Sequence, residues 1–496
     1  MWLTTVISVL FLGLAGWRYA HPGDTKVTKD SAYFNAVNFA LFGLLGLFCV
    51  LWPRRKEDET STGEKRSLLG AAGAAGQRRD EGGAPAAGIE VVVVDDAQPA
   101  VKREVIYLTN MKTFLTFVVV THHTMCMFFN EGQGIQTLII DPANQKPFVT
   151  ITQWILSINQ SYFMAAFFLI SGYFCPKSLD RKGFRAFVAD KIVRLGGPFL
   201  LWSTLVGPLA DLFEQAYAGV DRHYRYDPGV CWFILWLLNF SIAYAVVAQF
   251  TPKVKLGMPH PFVLLVIGMG LGGGFYGLSK KFGAQAFGTG GKWNNLGGMN
   301  MWTYGIAMYI PFFAAGVLGG RNDWLKSVEE MKTWVVWTLR VITVGFWGLY
   351  FVAVGKFTIP IKNLHIDVIL ASQLAPPAFA VVMTLAMIQL FHQHFNASPQ
   401  SKLVRNAGAS AYIVYVIQFL PLNVVMITLI EILKAAGTHI VFKGMVFLTI
   451  KDDGNIAALS ESSVWYGWAF LFVVGQIVCW PLGFYVRKLP ILNKMF

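Results

Sequence analysis

Tyr107-Leu-Thr-Asn-Met-Lys-Thr-Phe-Leu-Thr-Phe-Val-Val-Val-Thr-His-His123 begins polar, turns apolar, and ends on two adjacent histidines inside a hydrophobic run. Lys112 and His123 are eleven residues apart. At roughly 100° per residue they share nearly one helix face, about 16 Å apart along the axis. This reads as a membrane-crossing helix with a cation near one surface and an imidazole deep on the same face. Ionisable groups inside a bilayer are costly and mark functional sites.

The rest of the 496 residues fits that setting. The chain is 55% hydrophobic and 14% charged, with mean hydropathy +0.49, outside the range of a soluble globular protein. Many apolar runs approach the ~20 residues that span a bilayer. The fold class read here is an all-α polytopic (multi-pass) integral membrane protein. The net charge of +13 does not call for nucleic acid, because Lys and Arg collect in cytoplasmic loops and meet anionic membrane lipid there. The five cysteines (Cys49, Cys126, Cys175, Cys231, Cys479) lie in or beside apolar runs and form no CxxC pair. Neither a disulfide framework nor a thiolate metal site is indicated.

Candidate spans fall near 2–17, 34–52, 106–129, 150–174, 195–213, 230–250, 261–278, 300–319, 333–355, 367–391, 409–432 and 463–484. The first two form a membrane hairpin over 1–52. Residues 1–20 are read as a retained helix rather than a signal peptide, because the apolar run has no basic segment before it. Residues 53–103, rich in Ala, Gly and charge, have almost nothing to bury and read as a disordered cytoplasmic linker. Within it Val91-Val-Val-Val94 is too short to span. The membrane domain is 104–496. With the linker cytoplasmic, the short cytoplasmic segments hold 19 Lys and Arg against 11 opposite, which places Lys112 at the cytoplasmic mouth and His123 toward the far side. There is no internal repeat of the kind common in transporters. No retention or lipidation signal shows which membrane is meant.

A histidine held out of water stays uncharged and can accept a proton, which suits a general base acting on a hydroxyl or amine. The competing reading of His123 is a histidine hydrogen-bonded to a neighbouring helix. His122 lies about 100° round the helix, where it would bind a neighbouring helix or orient a substrate. A second cluster, Arg181, Arg185, Lys191 and Arg194, follows the aromatic run Phe167-Phe-Leu-Ile-Ser-Gly-Tyr-Phe. Its arginines suit bidentate phosphate binding, and they equally suit a loop touching lipid head groups. The pair His392 and His394 has no Cys or carboxylate nearby, and no metal site is expected. The glycines at 272–274 and 288–291 lack Walker spacing and read as loop. Asn159, Asn239 and Asn396 head glycosylation-type triplets that fall in spans or on the cytoplasmic side.

These residues resemble the acyltransferase-3 family of integral membrane acyltransferases, whose first helix carries an Arg, ten residues and then a His. Here Thr109-Asn-Met-Lys112 leads, with the same gap, to His122-His123. Ser178-Leu-Asp-Arg-Lys-Gly, Phe187-Val-Ala-Asp-Lys-Ile-Val-Arg-Leu-Gly-Gly-Pro198, Trp232-Phe, Phe312-Phe-Ala-Ala-Gly-Val-Leu-Gly-Gly, Ala409-Ser-Ala-Tyr-Ile-Val-Tyr-Val-Ile and Arg487-Lys-Leu-Pro follow in family order. The resemblance implies a ten-helix bundle, here preceded by the two-helix hairpin. It implies transfer of an acyl, most often acetyl, group from acyl-CoA to a hydroxyl of a glycan, lipid or small acceptor. His123, beside His122, would be the base, and Lys112, Asn110, Arg181, Arg185, Lys191 and Arg194 would hold the donor. Acyl-CoA is a co-substrate, with no bound cofactor and no metal. The chain departs from the family pattern at Thr109 for Asp, Lys112 and Lys191 for Arg, and Gln418 for a frequent His. The alternatives from other classes are a lipid or glycan transporter and a catalytically inactive membrane scaffold.

Overall fold

The structure is a computed structural model that describes residues 1–21, 26–51, 105–128, 138–139, 146–224, 226, 228–282, 305–354, 368–397, 401–443, 446–449 and 459–496. The linker 53–103 with its run 91–94, and the glycines 288–291, lie outside the described residues. Helices dominate: α1 (Trp2–Ala20), α2 (Lys26–Leu51), α3 (Ile106–Cys126), α4 (Lys146–Lys191), α5 (Gly197–Leu201), α6 (Gly207–Tyr217), α7 (Trp232–Val247), α8 (Pro261–Phe282), α9 (Gly305–Asn322), α10 (Trp324–Glu329), α11 (Thr333–Val354), α12 (Val368–His394), α13 (Lys402–Ile417), α14 (Phe419–Ala435) and α15 (Glu461–Val486). Three short strands, β1 (Leu138–Ile139), β2 (Ile440–Lys443) and β3 (Val446–Thr449), form a sheet in the order β1-β3-β2. Phe447 of β3 pairs with Leu138 in parallel and with Phe442 antiparallel. The sequence reading did not foresee this sheet.

Among the described residues, six helices are long and apolar enough to cross a membrane, or seven if α13 and α14, bent by 71°, make one span. Five of the six, or six of the seven, lie in 104–496, fewer than the ten spans expected there, for physical reasons. The candidate spans 150–174 and 195–213 fall in one helical run, Lys146–Tyr217. The α3 helix is diluted by Asn110, Lys112, five threonines and two histidines. Four of these threonines are nonetheless satisfied inside the helix: Thr113, Thr116 and Thr121 donate to the carbonyls of Thr109, Lys112 and Phe117, and Thr124 to that of Thr121. Such back-bonding lets a polar helix lie among apolar neighbours.

The Lys146–Tyr217 run changes direction at Gly183 (φ 71°, ψ 167°), a left-handed conformation open to glycine. Beyond it the helix widens twice into π turns, Ile192–Gly196 and Trp202–Val206, and a proline stands just after each, Pro198 and Pro208. A proline has no N–H for the carbonyl four residues back and crowds it. Both carbonyls find a tyrosine instead: Tyr412 donates to Arg194 O at 2.7 Å and Tyr224 to Thr204 O at 2.9 Å.

The core is built around α4. Phe168 meets Phe233 and Phe240 of α7 and Tyr309 of α9. On another side of α4, Gly172 faces Phe313, while Gly316 and Gly320 of α9 lie against the carbonyls of Leu169 and Tyr173. These helices touch backbone to backbone, as small residues permit in membrane bundles. A second cluster joins Phe128, Phe148, Phe447 and Leu429 near the sheet. All five cysteines are buried and none is in a disulfide.

Candidate functional site

The C-terminal turn of α3 brings His122 and His123 into the interior, where α14 begins. His123 Nδ1 lies 3.0 Å from Gln418 Oε1. Gln418 is fully buried at the break between α13 and α14, and its Nε2 donates to the carbonyl of Tyr415 at 2.9 Å. That second bond orients the amide, because only its NH2 can donate to a carbonyl. The oxygen therefore faces the imidazole, so His123 Nδ1 carries the hydrogen and donates it. Nε2 is left with the lone pair. Phe419 stands edge-on to the ring at 4.8 Å and 84°, and Trp202 meets Phe419 at 6.1 Å. In a neutral ring, this arrangement fixes one tautomer, with the hydrogen on Nδ1 and the lone pair on Nε2.

His122 turns elsewhere, as the 100° rotation requires. Its ring meets Phe163 of α4 at 5.2 Å and stands at 81° to His123. Its Nδ1 is buried with no hydrogen-bond partner. A buried polar atom left unpaired is uncommon and calls for an explanation.

The other candidate residues are spread along the Lys112 end. Lys112 Nζ lies over the Phe174 ring at 5.4 Å. Asn110 donates its amide to the carbonyls of Phe395 (2.8 Å) and Ala397 (3.3 Å), tying the start of α3 to the segment after α12. Arg185 donates from Nη2 to the Cys49 carbonyl of α2 at 3.0 Å. Lys191 lies over Phe187 at 5.2 Å. Arg194 pairs with Asp190 at 3.4 Å, and Asp190 also takes Lys182 at 2.7 Å. Arg181 is exposed. The structure thus joins His122, His123 and Gln418 directly, and turns Asn110 and Arg185 toward backbone carbonyls.

Sequence reasoning missed two features. Gln418 was noted only as a departure, and its bond to His123 crosses 295 positions of chain. At the same end as Arg181, a cavity of about 430 Å³ is lined by Asp180, Phe184, Tyr244, Lys253 and Arg321 among others. Asp180 there accepts from Arg321 at 2.5 Å and lies 3.6 Å from Lys253, and Arg321 also donates to Tyr244. His392, set aside as a metal ligand, packs edge-on against Tyr107. Among the described residues no group of three or more His, Cys, Asp or Glu could hold a metal ion.

A family model described as an acyltransferase domain matches residues 105–484. No curated protein and no solved structure matches the chain.

Proposed function

The chain belongs to the acyltransferase-3 family, and from that premise we propose that it moves an acyl group, acetyl in the first instance, from acyl-CoA to a hydroxyl of a glycan, lipid or small acceptor. The family and the long apolar helices make it an integral, multi-pass membrane acyltransferase. We count the acyltransferase domain as ten spans: α3, the two limbs of the run about Gly183, α7, α8, α9, α11, α12, the bent α13–α14 pair and α15. The α1 and α2 helices precede it as a hairpin.

The observation that supports the chemistry most is the His123–Gln418–Tyr415 chain. Gln418 pins the hydrogen on Nδ1, so Nε2 of His123 takes the proton of the acceptor hydroxyl. The freed oxygen attacks the thioester carbonyl, the C–S bond breaks, and Nε2 returns its proton to the departing CoA thiolate. His122, with its unpaired Nδ1, stands beside this step and orients the substrate. Lys112 and the cations Arg181, Arg185, Lys191 and Arg194, with Asn110, belong to the end of the domain that takes the phosphates of CoA. Membrane lipid surrounds the site, no nucleic acid takes part, and the reaction uses no bound cofactor and no metal.

Labelled acetyl-CoA offered to the purified, detergent-solubilised protein tests this reading. Saturable binding with slow hydrolysis or transfer is expected. Absence of binding by the wild-type protein overturns it and moves a transporter or an inactive scaffold ahead.

The tautomer argument has its own test. Gln418→Leu removes the acceptor from Nδ1 and should lower kcat at least about tenfold with little change in the KM for donor, since a base in the wrong tautomer is disabled. Gln418→Glu keeps an acceptor oxygen and should retain most activity. Equal rates in Gln418→Leu and wild type would remove Gln418 from the mechanism.

A further inference from the structure

The α1 and α2 helices lie outside the family-matched residues, and their packing ties them to the site. Phe11 of α1 is fully buried. Its ring meets Phe39 and Phe42 of α2 at 5.8 and 5.4 Å, and stacks on Phe199 of α5 at 6.3 Å and 9°. Gly196, in the first π turn, gives the Phe11 ring its place, because a Cβ there would stand 2.7 Å from it. Ile7 lies against Gly197, and Gly46 of α2 faces Ile192. Arg185 reaches back to the Cys49 carbonyl. Toward its other end, α1 places Trp17 edge-on to Tyr224 at 6.3 Å, the tyrosine whose hydroxyl caps Thr204 in the second π turn. The α1–α2 pair therefore packs on the first π turn and reaches the second through Tyr224.

That limb needs bracing. π turns are rare and cluster at functional sites, and interrupted ladders are where helices bend. Between the two turns' prolines, Phe199 and Trp202 are three residues apart. Trp202 meets Phe419, which meets His123. The indole Nε1 of Trp202 is buried without a hydrogen-bond partner, so packing along the limb sets the ring's position. Two ring contacts, Phe11–Phe199 and Trp202–Phe419–His123, are thus joined by the short stretch of backbone from Phe199 to Trp202.

We infer that α1 and α2 are a positioning element for the His123 site: through Phe11 and Trp17 they hold the π-turned limb 192–206, and so fix Trp202 against Phe419 beside His123. The inference rests on His123 being the base. It makes the N-terminal pair more than a membrane anchor.

The test uses the full-length protein in detergent, with Phe11→Ala, Phe11→Leu and Ile7→Ala. Two readouts are followed, acyl transfer and amide hydrogen exchange. Phe11→Ala should raise exchange over 192–206 and 418–422. It should also lower kcat about tenfold or more, because small misplacements of catalytic groups have effects of that order. The KM for acyl-CoA should stay within about twofold, since neither Phe11 nor the residues that link it to His123 are donor cations. Phe11→Leu should restore most of both readouts. Ile7→Ala should move them the same way by less, and it carries the test if Phe11→Ala does not fold. Unchanged exchange at 192–206 in a folded Phe11→Ala protein overturns the inference whatever the activity. So does raised exchange with an unchanged kcat. If the wild-type protein transfers nothing, the proposed function fails on its own, and exchange at 418–422 still decides whether α1 reaches the site.

Discussion

The His123→Ala protein is expected to lose acyl transfer by about 10³-fold while still binding donor, since a positioned general base typically contributes 10²–10⁴-fold. The argument is geometric. Around the imidazole, Gln418 presents an acceptor oxygen and Phe419 a ring, neither of which can replace Nε2 as a base, and the His122 ring is turned about 81° away toward Phe163. The substitution also leaves the buried Gln418 oxygen without a donor, a cost of about 1–3 kcal/mol, so some loss of thermal stability should accompany it. His123→Gln separates the two effects. Its amide N–H can donate to Gln418 and keep the fold, but it carries no base. Initial rates with labelled acetyl-CoA, read beside melting temperature and donor affinity, settle the matter. Substantial transfer by a folded His123→Gln protein would end the assignment of the base.

The second large effect belongs to the contact between α4 and α9. Gly316→Ala adds a single methyl group, and its Cβ would overlap the backbone carbonyl of Leu169. A flexible side chain could swing aside, but a helix backbone cannot, so the two helices must separate. In lipid such packing is a main source of helix association, and overpacking of this kind costs about 1–3 kcal/mol or more. Gly316→Leu should abolish the folded, monodisperse protein altogether. Gly345→Ala in α11 is the control, because nothing lies within 4 Å of a Cβ there, and alanine favours a helix by roughly 0.5–1 kcal/mol over glycine. Thermal unfolding in detergent compares them. Equal melting of Gly316→Ala and wild type would mean that α4 and α9 are not in backbone contact.

What could be read in advance followed from local spacing. Lys112 and His123 stand out because a polar residue in an apolar helix is costly wherever the helix goes. The family was legible for the same reason, since its motifs are short runs whose order survives in the chain. The rest depends on contacts between distant segments. Gln418 looked like a lost histidine, and only the packing of α13 and α14 against α3 shows that its amide meets His123. Asn110 and Arg185 carried donor-binding expectations on charge and polarity, yet both reach backbone carbonyls on other elements. The helix distortion at the Gly-Gly-Pro198 and Gly207-Pro208 steps was not read from the sequence. The tyrosines that accommodate it come from 20 and 218 positions away.

The five buried thiols make the outer surface a chemical blank. A water-soluble maleimide should find almost nothing to react with on the folded wild-type chain. Each newly introduced cysteine then reports its own surroundings without any native residue being removed. Arg181→Cys and Lys146→Cys are suitable first positions, both exposed and assigned by the charge count to opposite faces of the membrane. In sealed vesicles of one orientation, an impermeant reagent should tag one and spare the other.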